Sequence, residues 1–156
     1  MLFYKLGTTR RAKGMTYFSG TFDHKIDTNW RLSVPSEMRK ELEGRTNLKM
    51  LVSPTGDCLL VFEPEEYEKW VTGLFGHGDT NGLSAYSSKE SAQLKVLNSR
   101  VRSAEIDASG RIGVAEEFRK IFPDKEATFV GDGKHMEIWQ TKNWYNFYDM
   151  ISLEDL

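Results

Sequence analysis

At 156 residues, 39% of them hydrophobic and 12% aromatic, the chain has the material for one domain or two small, closely packed halves, and is too apolar to be a disordered polymer. Its 21 basic and 23 acidic residues leave a net charge of −2, which excludes a uniformly positive surface; a nucleic-acid face would have to segregate its cations or repeat a weak patch by oligomerisation. Cys58, the single cysteine, rules out an internal disulfide, argues against a Cys-based zinc site and suits a reducing cytoplasm, and no apolar run is long enough to cross a bilayer.

Residues 1–14 carry Arg10, Arg11 and Lys13 where a secretory signal would need its cleavage region. They read as a basic, disordered arm, or as sequence ahead of a start at Met15. A strand over residues 21–26 then enters a turn opened by Asp27, whose carboxylate can accept hydrogen bonds from turn N–H groups. A second strand places Leu32 and Val34 on one face, and Pro35 suits the first position of a helix in which Met38 and Leu42 form an i, i+4 apolar pair. Strands over 48–53 and 58–62 flank the turn Pro54-Thr55-Gly56-Asp57 as a hairpin, and a helix carrying Tyr67, Trp70, Val71 and Leu74 closes the unit. Residues 73–88, rich in Gly and Ser, read as a connector, and residues 91–101 as a linking helix with Leu94, Leu97 and Val101 on one side.

The remainder repeats this plan. Ile26-Asp27-Thr28-Asn29-Trp30-Arg31-Leu32-Ser33-Val34 returns 80 positions later as Ile106-Asp107-Ala108-Ser109-Gly110-Arg111-Ile112-Gly113-Val114, and Glu37, Met38 and Arg39 match Glu117, Phe118 and Arg119. In the second copy Phe118, Ile121 and Phe122 mark a helix stopped by Pro123. A hairpin follows over 128–130 and 136–139, turning at Gly131-Asp132-Gly133-Lys134, and then a closing helix with Trp144, Phe147, Tyr148 and Ile151. Two copies are too few for a solenoid; they fit a pseudo-two-fold fold in which each half supplies half of one core. The aromatic stripes have the helical spacing of core or subunit interface rather than of a base-stacking platform.

Little here resembles catalytic machinery. His24, His77 and His135 show no spacing that assembles a metal site, so structural or solvent-facing roles and no metal are expected. Gly131-Asp132-Gly133-Lys134 lacks the spacing and ending of a P-loop, there is no nucleophile elbow, and Cys58 falls within a strand expected to be buried. No enzyme activity, cofactor or small-molecule substrate is expected. The repeated Asp-x-x-x-Arg is the remaining signal: Asp27 with Arg31, and Asp107 with Arg111. A turn-organising Asp leaves a guanidinium at the start of the next strand, suited to phosphate contact or bidentate reading of guanine. An internal Asp–Arg salt bridge that only rigidifies each turn is the equal alternative on spacing alone. Lys25 borders the first motif; Lys95, Arg100 and Arg102 lead into the second.

Taken together, Phe18-Ser19-Gly20, Ile26 to Pro35, Gly56-Asp57-Cys58-Leu59 before Val61-Phe62, Ile106 to Arg111, and Glu137-Ile138-Trp139 followed by Trp144 resemble the MraZ family in order and spacing, from about Met15 to about Tyr148. That family consists of bacterial regulators built from two tandem SpoVT-AbrB-type modules. The resemblance implies an α+β, mostly β fold: a double-split, swapped-hairpin β-barrel with short flanking helices, module 1 over 18–72, a connector and the start of the linking helix over 73–94, and module 2 over 95–150. It also implies a cytoplasmic, nucleoid-associated homo-oligomeric ring that binds double-stranded DNA at short direct repeats in its own promoter, ahead of a cell-wall and division gene cluster, chiefly as a repressor. The family's DNA-contacting motif falls on Asp27 and Arg31 and on Asp107 and Arg111, with Asn29 and Lys25 beside the first.

This chain departs from the family pattern in three places. Asn29 and Trp30 stand where Lys and then Gly or Asn are usual, which removes a phosphate-binding charge and adds a bulky ring; Trp30 is expected to pack between subunits rather than wedge into DNA. Ala115 matches Pro35, and Lys95 stands where Arg is common. An antitoxin-like protein-interaction module on the same barrel is the alternative. It is disfavoured because such antitoxins commonly add a flexible tail, whereas this sequence stops soon after its last helix.

Overall fold

Every residue of Cys58–Phe62 is buried, as only a strand covered on both faces can be. In the computed structural model, which describes residues 15–75 and 87–156, this strand lies near the centre of a six-stranded antiparallel sheet. The elements in chain order are β1 (Thr21–Lys25), β2 (Arg31–Ser33), α1 (Ser36–Leu42), β3 (Asn47–Val52), β4 (Cys58–Phe62), α2 (Pro64–Leu74), α3 (Ser88–Ser99), β5 (Arg102–Glu105), β6 (Arg111–Gly113), a 3-10 helix (Glu116–Ile121), β7 (Glu126–Gly131), β8 (Met136–Gln140) and α4 (Thr141–Met150). The architecture is thus α+β and predominantly β, with few and short helices.

The large sheet runs β1-β7-β8-β4-β3-β5, and β2 pairs with β6 as a separate ribbon. The first strand of each copy therefore belongs to the other copy's hairpin: β1 pairs with β7, and β5 with β3. The two hairpins meet through β4 and β8, with Leu59 opposite Ile138 and Leu60 opposite Glu137. Exchanging the copies reverses the strand order without changing it, as the internal repeat requires. In the ribbon, Leu32 of one copy faces Ile112 of the other at the centre of the register.

Alternation along the strands builds two apolar layers. Leu48, Met50, Leu59, Val61, Phe129, Met136 and Ile138 point to an inner core shared with Leu32, Val34, Ile112 and Val114 of the ribbon and with Met38, Leu42, Phe118 and Phe122 of the helical segments. Leu51, Cys58, Leu60, Phe62, Val130 and Trp139 point the other way, onto Tyr67 and Val71 of α2, with Leu94, Leu97 and Trp144 packed at the margin. Helix α4 buries none of its residues fully; Trp144 is half-buried on Trp139, while Tyr145, Tyr148 and Met150 are exposed.

Two details differ from the sequence expectations. The segment expected as a second-copy helix is a short 3-10 helix, with Phe122 and then the helix-stopping Pro123 just beyond it; a run this short tightens readily. The linking helix starts at Ser88 rather than 91, capped by reciprocal Ser87 and Glu90 hydrogen bonds of 3.1 and 3.0 Å. The turn between β7 and β8 also packs against the segment before β1: Phe18 and Gly133 exchange backbone hydrogen bonds of 2.7 and 2.9 Å. Gly131 is required beside that contact, since an added Cβ would lie 2.3 Å from the Ser19 nitrogen. The expected basic arm (1–14) and most of the expected connector, with His77, fall outside the described residues. Among the described residues no helix is long and apolar enough to cross a membrane.

The shared core makes a direct prediction. Leu32 and Ile112 are 0% exposed, so Leu32→Ala should lose about 2–5 kcal/mol of folding stability, with a similar loss for Ile112→Ala. Val96→Ala, at an exposed site on α3, should change stability by no more than about 0.5 kcal/mol. Urea unfolding midpoints measure all three.

Candidate nucleic-acid interface

The two Asp-x-x-x-Arg segments fold as the same Asx-anchored turn. Asp27 Oδ1 accepts hydrogen bonds from the backbone N–H of Asn29 (2.8 Å) and of Arg31 (2.9 Å), and Asp107 Oδ1 accepts them from Ser109 (2.9 Å) and Arg111 (3.0 Å). Backbone bonds from Asp27 N to Arg31 O and from Asp107 N to Arg111 O, 3.0 and 2.9 Å, close the loops. One carboxylate oxygen is used up by its own turn.

The other oxygen reaches across to the opposite copy. Asp27 Oδ2 pairs with Arg111 Nη1 at 3.1 Å, and Asp107 Oδ2 pairs with Arg31 Nη2. The salt bridges that spacing alone allowed within each motif are instead exchanged between the motifs. The β2·β6 ribbon makes this possible, because it places the starts of two antiparallel strands beside each other. All four side chains remain between 36% and 44% exposed, so the guanidinium forks stay accessible. The Asp107 carboxyl is held down to about 2, first by the Arg111 backbone N–H and then by the Arg31 guanidinium. Asp27 is lowered chiefly by the Arg31 backbone N–H, with further help from Asn29 and the Arg111 guanidinium. Both therefore stay ionised at neutral pH.

Arg39 and Arg119 join this cluster. Each donates from Nε to the carbonyl of the residue just after its own ribbon strand, Val34 at 3.1 Å and Val114 at 3.0 Å. Each then lies on the opposite copy's turn. A Cβ added to Gly110 would meet the Arg39 guanidinium at 2.9 Å, and Arg119 sits 5.3 Å from the Trp30 ring centre. Trp30 occupies the left-handed position (φ 58°) that Gly110 fills in the second copy (φ 81°). Its half-buried ring packs on the inner core beneath Arg119 and beside Lys125 Nζ, 4.7 Å away, in cation–π contact. Trp30 thus makes these contacts within its own chain.

Four of the residues singled out in the sequence, Asp27, Arg31, Asp107 and Arg111, come together. Asn29 lies exposed at the tip of the first turn, contributing its backbone N–H. Lys25 is exposed on β1 opposite Glu126 and takes no part in the turn hydrogen bonds above. Arg102 is engaged elsewhere, with Glu117 at 2.5 Å, and Lys95 and Arg100 are exposed along and just after α3. The repeat match of Arg39 with Arg119 was the available signal for the two arginines that composition did not single out. His135, expected to be structural or solvent-facing, stacks on Phe62 and also meets Asp132 and Glu137 in a group that could hold a metal ion; the i, i+3, i+5 spacing across a hairpin turn hid that group. Cys58 is buried as expected, and its thiol is pushed well above the ordinary range by burial and by Glu137.

A ribbon of two exchanged Asp–Arg turns, set on a duplicated antiparallel sheet, marks the chain as an internally repeated protein with a paired arginine face. Residues 17–74 and 101–156 match the protein family described as "MraZ protein, putative antitoxin-like". Similar curated proteins, each named transcriptional regulator MraZ, come from Alkaliphilus oremlandii (27% identical, covering 89% of this chain and 93% of the relative), Mesoplasma florum (28%, 83% and 84%) and Alkaliphilus metalliredigens (29%, 87% and 90%). The chain belongs to the MraZ family.

The depressed carboxyls set an acid dependence. Asp107 ionises at about 2 in the folded chain and near the ordinary ~3.9 when unfolded, so its contribution is complete above about pH 4 and is lost as pH falls toward 2. Stability measured from pH 5 to 2 should therefore decline less steeply for Asp107→Asn than for the parent. Carboxyl NMR titration should place the Asp107 midpoint well below that of an exposed aspartate.

Proposed function

We propose that this chain is a sequence-specific, DNA-binding transcriptional regulator that presents Arg31 and Arg111 to double-stranded DNA. The observation that carries the reading is the side-by-side placement of two exposed guanidiniums, each on an Asp-anchored turn and backed by Arg39 and Arg119. The relatives' name, transcriptional regulator MraZ, supports the same reading. Guanidinium forks suit both phosphate oxygens and the guanine edge, and here Asp27 and Asp107 set their direction before DNA arrives. Asn29 is positioned at the turn tip for a further polar contact, and Lys25 lies at the margin for a backbone contact. DNA phosphate then displaces or shares the fork now held by carboxylate.

The carboxylates and the net charge of −2 keep a single contact weak, so repeated engagement is needed. Several copies in a homo-oligomeric ring, reading short direct repeats in the gene's own promoter, supply it. Exposed apolar side chains along and beyond α4, among them Tyr148 (61%), Met150 (77%) and Leu153 (69%), support such an assembly. In this reading the sheet and the ribbon that enclose the inner core are parts of a double-split, swapped-hairpin barrel. Modules 18–72 and 95–150 are joined by 73–94, and the regulator acts chiefly as a repressor of a cell-wall and division cluster in the cytoplasm, on the nucleoid.

Arg31→Ala and Arg111→Ala should each weaken binding to a promoter fragment at least about tenfold. Each should also flatten the slope of log affinity against log salt by about one for every phosphate left without its arginine. Fluorescence anisotropy measures both effects, and size-exclusion chromatography should show assembly unchanged. Parent-like affinity in both variants contradicts the assignment.

A further inference from the structure

We propose that Asp132, His135 and Glu137, in the turn of the β7–β8 hairpin and at the start of β8, form a binding site for a divalent transition-metal ion of the zinc class. Their donor atoms all lie within 4.8 Å of one another. His135 Nε2 is 3.0 Å from Glu137 Oε2 and 3.5 Å from Asp132 Oδ2. Ligands about 2.0–2.2 Å from a tetrahedral ion stand roughly 3.4 Å apart, close to the two distances from the histidine nitrogen. A salt bridge alone accounts for it less well. One ring nitrogen carries at most one proton, yet it faces two carboxylates, and a neutral imidazole with two carboxylates balances a divalent charge. One nitrogen and two oxygens match zinc and its neighbours better than magnesium or calcium, which favour oxygen alone.

Neighbouring rings hold two of the three ligands in place. Trp139 Nε1 donates to Glu137 Oε1 at 2.8 Å, which fixes the carboxylate and leaves Oε2 facing the histidine. The His135 ring is stacked on Phe62, centroids 4.8 Å apart and planes 25° from parallel. The Asp132 backbone N–H bonds the His135 carbonyl at 3.0 Å, closing the turn around Gly133 (φ 77°). His135 and Glu137 side chains are only 15% and 16% exposed, whereas Asp132 is open to solvent. A cavity of about 450 Å³ bordered by Asp132, Glu137, Cys58 and Trp144 opens beside the two carboxylates. The cluster lies with Phe62 and Trp139 on the outer side of the sheet, away from the ribbon, so it is independent of the DNA reading. A bound ion would pin the β7–β8 turn and, through the Phe18–Gly133 backbone bonds, the segment that leads into β1.

Isothermal titration of the metal-free full chain with Zn²⁺ should show one site per chain, and His135→Ala and Glu137→Gln should each weaken it at least about tenfold. His24→Ala and His77→Ala should bind like the parent. Thermal melts provide a second readout: Zn²⁺ should raise the parent's Tm, leave His135→Ala unmoved, and circular dichroism without metal should show each variant folded. If Glu137→Gln unfolds, Asp132→Asn takes its place. Absence of saturable Zn²⁺ binding, parent-like binding by His135→Ala, or loss of binding in the His24 or His77 variant overturns the proposal.

Discussion

Neither copy of the repeat can finish its own sheet. The hairpin β3–β4 receives its outer strand from β5, and β7–β8 receives its outer strand from β1. Each copy's edge is therefore satisfied by the other, and the inner core fills only when both are present. The same interlocking brings the starts of β2 and β6 together, although they lie 80 positions apart in the chain. Every later feature of the arginine face follows from that pairing. The local turn sets each arginine's backbone, while the other copy's turn sets its side chain.

This division of labour explains how an exposed arginine is oriented without being buried. A long side chain in water samples many rotamers, and an exposed salt bridge by itself restrains it little. Here each aspartate acts with both oxygens, one fixed by its own turn and the other offered across the ribbon, so the acceptor is rigid even though the donor is exposed. The arrangement also keeps two negative charges beside the four arginines. In the proposed function, those charges weaken diffuse binding to any polyanion and favour repeated engagement at ordered sites. Trp30 breaks the symmetry of the pair. It holds a left-handed turn position with a bulky ring, and the contacts with Arg119, Lys125 and the core offset the backbone strain.

Much of this was legible in the sequence, and the limits are physical. Period-two alternation around Leu32, Val34, Ile112 and Val114 marked the ribbon's buried face, and the duplicated Asp-x-x-x-Arg marked the turns. What spacing could not show was partnership between distant segments. Asp27 and Arg31 are four residues apart, and a local ion pair was as reasonable as none, yet the carboxylate pairs with Arg111 because strand exchange places it nearer. The same applies to His135, whose partners Asp132 and Glu137 are close in sequence but meet only because a hairpin turn folds them onto one side of the sheet. The aromatic stripe of α4 showed an amphipathic helix, and helical spacing alone did not reveal that Trp144 would pack on Trp139 while Tyr148 and Met150 stay exposed in a single chain.

If the exchanged arginines are the groups that touch DNA, a structure of the assembled protein on a promoter fragment will show it most directly. Arg31 and Arg111 should then lie within hydrogen-bond distance of phosphates or guanine edges, with the Asx turns of Asp27 and Asp107 intact. DNA seated on another face, with both cross-copy Asp–Arg pairs still closed and remote from it, would contradict that role.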